Sequence, residues 1–185
     1  MAHVKIDPAI LYWGTPVVLI TTTNEDGTSN IAPMSSAFWL GNRCILGLAW
    51  NSRTTINLHR TGECVLNLAS DEMAPAINAL AKTTGTEFVP EFKLSKGYSY
   101  IKDEFAVAHL TPLPSEKVQA PRIKECPVHM EARLVKYTAT LGGFIHVIEV
   151  RVLQTYIGEE LRMPGYENRV DPDRWRPMFM SFQRL

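Results

Sequence analysis

The sequence predicts a mostly β fold with short helices, in which antiparallel strands close into a barrel. Short apolar stretches rich in β-branched residues recur along the chain and are separated by turn-forming residues. Near the C-terminus, two longer stretches flank a Gly-Gly turn, as the arms of an antiparallel hairpin do. The chain has 185 residues, which suits one compact core, so we expect a single domain over residues 1–185.

Composition favours a protein that binds a small molecule. Lys plus Arg and Asp plus Glu number 19 each and are mixed along the chain, which argues against a nucleic-acid or anionic-membrane partner. No apolar stretch has the length of a transmembrane span or the pattern of a signal peptide. Three cysteines without a C-x-x-C pair argue against a disulfide framework and against a metal site. We therefore expect a cytoplasmic protein with no bound metal.

The first predicted element after the N-terminal lead-in is a β-hairpin. Residues 16–23 are apolar and β-branched, which favours a strand buried on both faces. Residues 24–27 supply the turn, and residues 30–36 supply the second, antiparallel strand. Because Pro33 lacks an N–H, this second strand is expected at a sheet edge or at a bulge. The lead-in and aromatic residues predicted to pack against the body are Ile10, Leu11, Tyr12, Trp13, Phe38 and Trp39.

The next segment predicts a strand, a short helix and another strand. Residues 44–49 form an apolar run typical of a buried strand. A helix is predicted over residues 56–60, with Ser52 as its N-cap and Gly62 as its stop. Residues 63–68 predict the strand that follows the helix.

The second half of the chain predicts a helix, an irregular segment and a long hairpin. A helix is expected over residues 73–82, and prolines interrupt any regular pattern over residues 86–125. Residues 126–137 alternate apolar side chains with polar ones, Glu131 among the polar ones, which predicts a strand buried on one face only. Residues 144–157 predict its partner. The tail, residues 171–185, carries apolar and aromatic side chains and is expected to pack against the body or a partner chain.

The strongest chemical signal lies at the start of the predicted short helix. The hydroxyls of Ser52, Thr54 and Thr55, the guanidinium of Arg53 and the free N–H groups of a helix start could together bind a phosphate. Ser and Thr also cap helices that bind nothing, so this pattern alone leaves a purely structural role open.

Three segments in order resemble the flavin reductase-like, FMN-binding split-barrel family. Residues 16–32 match its "PVVLVTT…DG…N-x-A" hairpin, Ser52-Arg53-Thr54-Thr55 matches its "S-R-x-T" phosphate segment, and residues 61–67 match its "TGE-x-V-x-N" strand. The resemblance implies an antiparallel, Greek-key split β-barrel that binds FMN. It also implies an oxidoreductase that takes electrons from NAD(P)H, and a homodimer.

The resemblance also implies which residues bind the cofactor. One group lies along the flavin ring and the other holds its phosphate: Asn30, Ala32, Pro33, Met34, Ser35, Ser36, Asn51, Ser52, Arg53, Thr54 and Thr55. The flavin carries the redox chemistry, so no catalytic side chain is assigned. Residues 117–125 match a family element that shapes the mouth of the pocket and contacts the second subunit.

One departure from the family pattern leaves the reductant open. Many NADH-using members carry an Asp-His pair before the last long strand, whereas this chain has Leu141-Gly142-Gly143-Phe144, and His146 falls inside the strand. Three hypotheses follow: an NAD(P)H-dependent flavin reductase that could serve a monooxygenase, a flavoredoxin-like carrier that passes electrons to a redox protein, and a pyridoxamine-phosphate oxidase-like or haem-binding split barrel. Rossmann, nucleotide-triphosphatase, zinc-peptidase and hydrolase motifs are absent from the sequence.

Overall fold

β-Strands are the main regular structure of the chain, and the computed structural model describes residues 2–8, 11, 13–182 and 184–185. In that part of the chain the strands are β1 (Trp13–Pro16), β2 (Val18–Thr23), β3 (Ser29–Met34), β4 (Ala37–Leu40), β5 (Arg43–Ala49), β6 (Glu63–Leu68), β7 (Thr83–Thr84), β8 (Ser99–Tyr100), β9 (Pro112–Leu113), β10 (Arg122–Ile123), β11 (Val128–Thr140), β12 (Ile145–Ile157) and β13 (Phe179–Ser181). The α-helices are α1 (Arg53–Thr61), α2 (Ala74–Leu80), α3 (Glu91–Leu94) and α4 (Glu104–Val107). The mostly β prediction with short helices is confirmed.

One seven-stranded antiparallel sheet organises the molecule, with the strand order β3-β2-β6-β11-β12-β5-β4. Its two edge strands, β3 and β4, follow each other in the sequence and are joined only by Ser35 and Ser36. Two linking residues can span no more than about 11 Å between flanking Cα atoms. The sheet must therefore curl until its edges meet at this linker, which makes a barrel whose wall is split between β3 and β4.

Apolar side chains pack on both sides of the curled sheet. The barrel interior holds Ile20, Leu46 and Ile148, and Leu58 of α1 enters the same cluster. A second cluster lies outside the barrel, where α2, α4 and the C-terminal tail cover the other face of β2. Burial of β2 on both faces confirms the prediction for residues 16–23 over Val18–Thr23.

The predicted N-cap and stop of α1 are confirmed, although the helix begins at Arg53 rather than at residue 56. Ser52 is the N-cap, and Gly62 ends the helix with φ = 70°, a left-handed conformation that Gly adopts at little cost. The expected helix after β6 appears as α2, preceded by a 3₁₀ turn over Asp71–Met73. None of the helices in the described part of the chain has the length and apolar character needed to cross a membrane.

Two predictions about single residues in the sheet were wrong. Phe38 points to the outer face of β4 and is 53% exposed, whereas Trp39 packs against the barrel core as predicted. Glu131 was expected on the exposed side of β11 but is 0% exposed. Its carboxylate accepts hydrogen bonds from the Glu116 and Lys117 N–H groups, because the irregular segment crosses over this face of the strand.

The two ends of the chain meet at one side of the barrel. β1 pairs antiparallel with β13, and the buried Met178 bonds through its backbone to Val17 and Ala69. Packing of the tail against the body is thus confirmed. Leu11 is exposed, and Trp13 is largely exposed but packs edge-to-face on Phe182 with the ring centroids 4.6 Å apart. Ile10 and Tyr12 lie outside the described residues.

Candidate functional site

The N-terminus of α1 presents hydrogen-bond donors that the helix itself does not use. The Ser52 Oγ accepts a hydrogen bond from the Thr55 N–H at 3.2 Å, and the Ser52 carbonyl accepts one from the Ile56 N–H at 3.0 Å. These bonds leave the N–H groups of Arg53 and Thr54 without an intrahelical acceptor, as at any helix start. The helix dipole adds partial positive charge at the same point. An anion here would therefore meet two backbone donors.

Arg53 stands beside this helix start and is held by the segment that follows α2. Its Nε donates a hydrogen bond to the Gly85 carbonyl at 3.0 Å. A Cβ at Gly85 would lie 2.4 Å from Asn30 Oδ1 and 3.2 Å from Arg53 Cγ, so only Gly fits. In the part of the chain that the structure describes, the terminal guanidinium nitrogens make no hydrogen bond or ion pair. They remain available for a bidentate contact with a phosphate.

The edge strand β3 supplies unpaired backbone acceptors. The Ile31 N–H donates to the Glu104 carboxylate rather than to β2, so the backbone groups of Ile31 and Pro33 face away from the sheet. Pro33 has no N–H, and the Ile31 N–H is already bonded, which leaves the two carbonyls as acceptors. Asn30, 2% exposed, donates from Nδ2 to Thr54 Oγ1 at 3.2 Å and so ties β3 to α1.

Three cavities follow one another along β3. The central groove, of about 260 Å³, lies between Asn30–Met34 on one side and Ser52–Thr54 on the other. The apolar cavity, of about 510 Å³, shares Pro33 and Met34 with it and reaches α2. The distal cavity, of about 340 Å³, shares Arg53, Gly85 and Glu104 with the central groove and extends to the turn before β3. An elongated ligand could therefore lie along this strand.

The structure brings most of the predicted binding residues together. The central groove is lined by seven of them: Asn30, Ala32, Pro33, Met34, Ser52, Arg53 and Thr54. Ser35 lines the neighbouring apolar cavity.

The remaining three predicted residues lie behind this lining. Thr55 is fully buried; its hydroxyl donates to the Ala49 carbonyl at 2.8 Å and lies 2.9 Å from Ser52 Oγ. The Ser36 carbonyl accepts the Gly47 N–H at 2.9 Å, which extends the pairing of β4 with β5 by one residue. Asn51 is a half-buried turn residue before the N-cap. These positions support the shape of the site, and no cavity described here is lined by them.

The second wall of the central groove was missed by sequence reasoning. It is formed by residues after β6 that carry no recognisable motif: Leu80, Ala81, Thr83, Thr84, Gly85, Lys93, Tyr98 and Glu104. Burial lowers the pKa of Lys93. The only available signal was the long irregular segment over residues 86–125, whose length predicted a functional or interface role.

Glu104 is the most unusual member of this wall. The side chain is 2% exposed, lines both the central groove and the distal cavity, and accepts a hydrogen bond from the Ile31 N–H. Burial raises the pKa of Glu104 to about 7, although the Ile31 N–H opposes this effect. A carboxyl group that titrates near neutral pH thus faces the groove.

Residues 117–125 do not line the groove of their own chain. Gln119 N–H donates to Glu63, and Val118 and Ala120 pack against Val65 of β6. The predicted role of this segment at the pocket mouth is not seen in the single chain, and its contact with a second subunit stays a prediction.

His146 lies away from the cavities, in a stack of rings on the long hairpin. Its ring centroid is 5.2 Å from that of His59 and 5.1 Å from that of Tyr137. The His59 and Tyr137 rings are stacked at 4.1 Å. Burial and the neighbouring His146 lower the pKa of His59. The two imidazole rings therefore stack on each other and on Tyr137, and neither lines the central groove.

The cysteines offer no reactive centre. Cys44, Cys64 and Cys126 are buried and free, and burial raises the pKa of Cys44 to about 12. Among the described residues, no group of three or more His, Cys, Asp or Glu side chains is placed to hold a metal ion.

Comparison with known proteins places this arrangement in a family. Residues 12–171 match the family model described as "Flavin reductase like domain". The Bacillus subtilis (strain 168) uncharacterized protein YdfE is 36% identical over 184 residues, which cover 97% of this chain and 86% of that protein.

Several solved structures share the fold. Flavoredoxin of Desulfovibrio vulgaris (Miyazaki F) aligns with a TM-score of 0.75 at 18% identity, over 98% of this chain and 88% of that one. Nitrilotriacetate monooxygenase component B from Bacillus cereus aligns with a TM-score of 0.72 at 21% identity, over 96% of this chain and 91% of that one. A split barrel domain protein from Shewanella frigidimarina NCIMB 400 aligns with a TM-score of 0.70 at 18% identity, over 91% of this chain and 78% of that one. The predicted split β-barrel is thereby confirmed.

Proposed function

Because the chain belongs to the flavin reductase like domain family, we propose that it is an FMN-binding oxidoreductase that takes electrons from NAD(P)H and passes them onward. We take residues 1–185 as one functional domain. The observation that carries the proposal is the meeting of the α1 N-terminus, Arg53 and the edge of β3 in one groove.

The residues present fit an FMN molecule laid along β3. The Arg53 guanidinium and the N–H groups of Arg53 and Thr54 would hold the phosphate. The Ser52 hydroxyl would assist by turning its proton from Thr55 Oγ1 toward the phosphate. Gly85 leaves the room that this approach needs, since a Cβ would fill it. The ring would then extend toward Pro33 and Met34, where the central groove joins the apolar cavity.

The chain's contribution to the reaction is binding and orientation. When bound, FMN supplies the chemistry of accepting and donating electrons. The carbonyls of Ile31 and Pro33 would accept from the N–H on the pyrimidine side of the ring and fix its position. The apolar cavity, lined by Val17, Ile77 and Met180 among others, would exclude water from the ring.

A second candidate is a flavoredoxin-like electron carrier that has no nicotinamide site of its own. The ring stack favours it, because His146 packs against His59 and Tyr137 instead of facing the groove. Stopped-flow mixing with NADH or NADPH separates the two candidates. Rapid bleaching of bound FMN by either nucleotide supports the reductase, and no bleaching by either supports the carrier. A pyridoxamine-phosphate oxidase-like or haem-binding role is less favoured by the family match.

We propose that the protein works as a homodimer. Phe38 and Val147 are exposed on the outer face of the barrel, and Leu141 and Phe144 at the hairpin tip are more than two-thirds exposed. Such apolar surface is typical of an interface. A redox protein or a monooxygenase is the expected electron acceptor, by analogy with the Bacillus cereus protein that is named as a monooxygenase component. Free cysteines suit the reducing cytoplasm.

Removal of Arg53 tests the FMN assignment. Arg53→Ala is expected to weaken FMN binding by roughly 10- to 100-fold, the value of about one charge-assisted hydrogen bond. Flavin fluorescence titration measures the affinity, and circular dichroism checks that the fold is kept. Arg60→Ala is the matched control, because Arg60 lies at the opposite end of α1. Equal FMN affinity in wild type and Arg53→Ala would refute the assignment.

A further inference from the structure

The distal cavity lies where a ligand bound along β3 would continue beyond its phosphate. From Met34 toward Ser29 the strand passes the apolar cavity, the central groove and then the distal cavity. Arg53, Gly85 and Glu104 form the boundary between the last two. Any group attached to the far side of a phosphate held by Arg53 would have this cavity as its nearest enclosed space.

The walls of the distal cavity carry an excess of negative charge. Its acidic members are Glu25, Asp26, Glu87 and Glu104, and its basic members are Arg53 and Lys102. Arg53 is committed to the first phosphate in the proposed function, which leaves Lys102 alone against the carboxylates. Hydrogen bonds from the Thr28 hydroxyl and N–H lower the pKa of Asp26, so this carboxylate stays ionised.

The two common flavin nucleotides differ at this point in the molecule. FMN ends in a phosphate monoester, which carries about −1.5 to −2 charge at pH 7. In FAD each of the two linked phosphates is a diester-like group with one negative charge. FAD therefore places less charge beside Arg53 and adds a charge where the carboxylates stand. Both changes oppose its binding.

We propose that the distal cavity is a charge filter that makes the protein select FMN over FAD by repelling the second phosphate. The inference rests on the proposed function, because it requires a flavin phosphate at Arg53. The carboxylates that would repel the second phosphate are those of Glu25, Asp26 and Glu87. Glu104 lies at the boundary with the central groove. Lys102 weakens the repulsion without cancelling it.

The test compares affinities for riboflavin, FMN and FAD by fluorescence titration at pH 8. In about 0.1 M salt, where the screening length is about 10 Å, wild type is expected to bind FMN roughly tenfold more tightly than FAD, because several exposed carboxylates repel the second phosphate. Glu25→Gln/Glu87→Gln should reduce this ratio to about threefold by tightening FAD binding, with little change for FMN. Raising the salt concentration to about 0.5 M should also reduce the wild-type ratio to about threefold, because the added ions screen the carboxylates.

A matched control removes the same charge elsewhere. Glu72→Gln/Glu167→Gln changes two carboxylates that line none of these three cavities and should keep the wild-type ratio. Equal FMN and FAD affinities in wild type, or an unchanged ratio in Glu25→Gln/Glu87→Gln, would overturn the filter while the FMN-binding proposal stands. Failure of all three flavins to bind would overturn the proposed function and the filter together.

Discussion

Replacement of Glu104 by Gln changes how stability depends on pH. The amide oxygen of Gln can still accept the Ile31 N–H, so the substitution removes only the ionisable group. In the folded protein the pKa of Glu104 is raised from its ordinary value of 4.5 to about 7 by burial. The folded state therefore holds this proton more tightly than the unfolded state does.

The sign and size of the effect follow from linkage. Below pH 4.5 the carboxyl is neutral in both states, and its contribution to stability is complete. As the pH rises through about 7, the folded protein must ionise a buried group, and that contribution is lost. The gap between 4.5 and about 7, at about 1.4 kcal/mol for each pH unit, corresponds to a loss of about 3 kcal/mol by pH 8.

Thermal or urea unfolding at pH 5, 6, 7 and 8 measures this difference. Relative to wild type, Glu104→Gln is expected to gain roughly 2–3 kcal/mol between pH 5 and pH 8, a relative rise in Tm of roughly 4–12 °C for a chain of this size. Glu125→Gln is the control, because the lowered pKa of Glu125 changes stability only below about pH 4.5, so this variant should stay parallel to wild type from pH 5 to pH 8. Burial alone would raise the pKa of Glu125, but hydrogen bonds from Thr111 outweigh it and lower the pKa. A wild-type stability that runs parallel to that of Glu104→Gln from pH 5 to pH 8 would refute the reasoning.

Two further substitutions test the groove and the barrel. Gly85→Ala should weaken FMN binding and destabilise the fold by about 1–3 kcal/mol, because the new Cβ would lie 2.4 Å from Asn30 Oδ1. Fluorescence titration measures the first effect and urea unfolding the second, and unchanged values in both would contradict the close approach. Leu58→Ala should lower the free energy of unfolding by about 2–5 kcal/mol, because this fully buried side chain joins α1 to the barrel core. A loss below about 1 kcal/mol in urea unfolding would show that Leu58 does not anchor α1 to that core.

Local features of the fold could be predicted from the sequence because their causes are local. The N-cap at Ser52 and the left-handed Gly62 are set by residues within one turn of α1. Pro33 correctly predicted an edge strand, because its missing N–H excludes it from the centre of a sheet. The candidate phosphate-binding residues were grouped by their hydroxyls and guanidinium at a predicted helix start and by the resemblance, whereas their common groove with β3 depends on β3 and α1 meeting through Asn30 and Thr54.

Features set by distant parts of the chain could not be predicted. Glu104 reaches the Ile31 N–H across 73 residues, and no sequence pattern relates the two. Alternation along β11 predicted an exposed Glu131, but the irregular segment covers that face and supplies backbone donors. Phe38 is apolar, yet it faces outward because the strand period puts Ala37 and Trp39 on the inner side. In each case tertiary contacts decided the outcome.

The two buried glutamates, Glu131 and Glu104, differ in how well their surroundings compensate a negative charge. Glu131 accepts N–H groups from Glu116 and Lys117, and its Oε1 lies 3.8 Å from the Arg122 Nε, so its charge is well compensated. Glu104 has one backbone donor and borders two cavities. A buried carboxylate with so little compensation costs stability at neutral pH. Residues that violate the rules of a stable interior tend to lie at functional sites, so the cost at Glu104 is itself a reason to include it in the proposed flavin site.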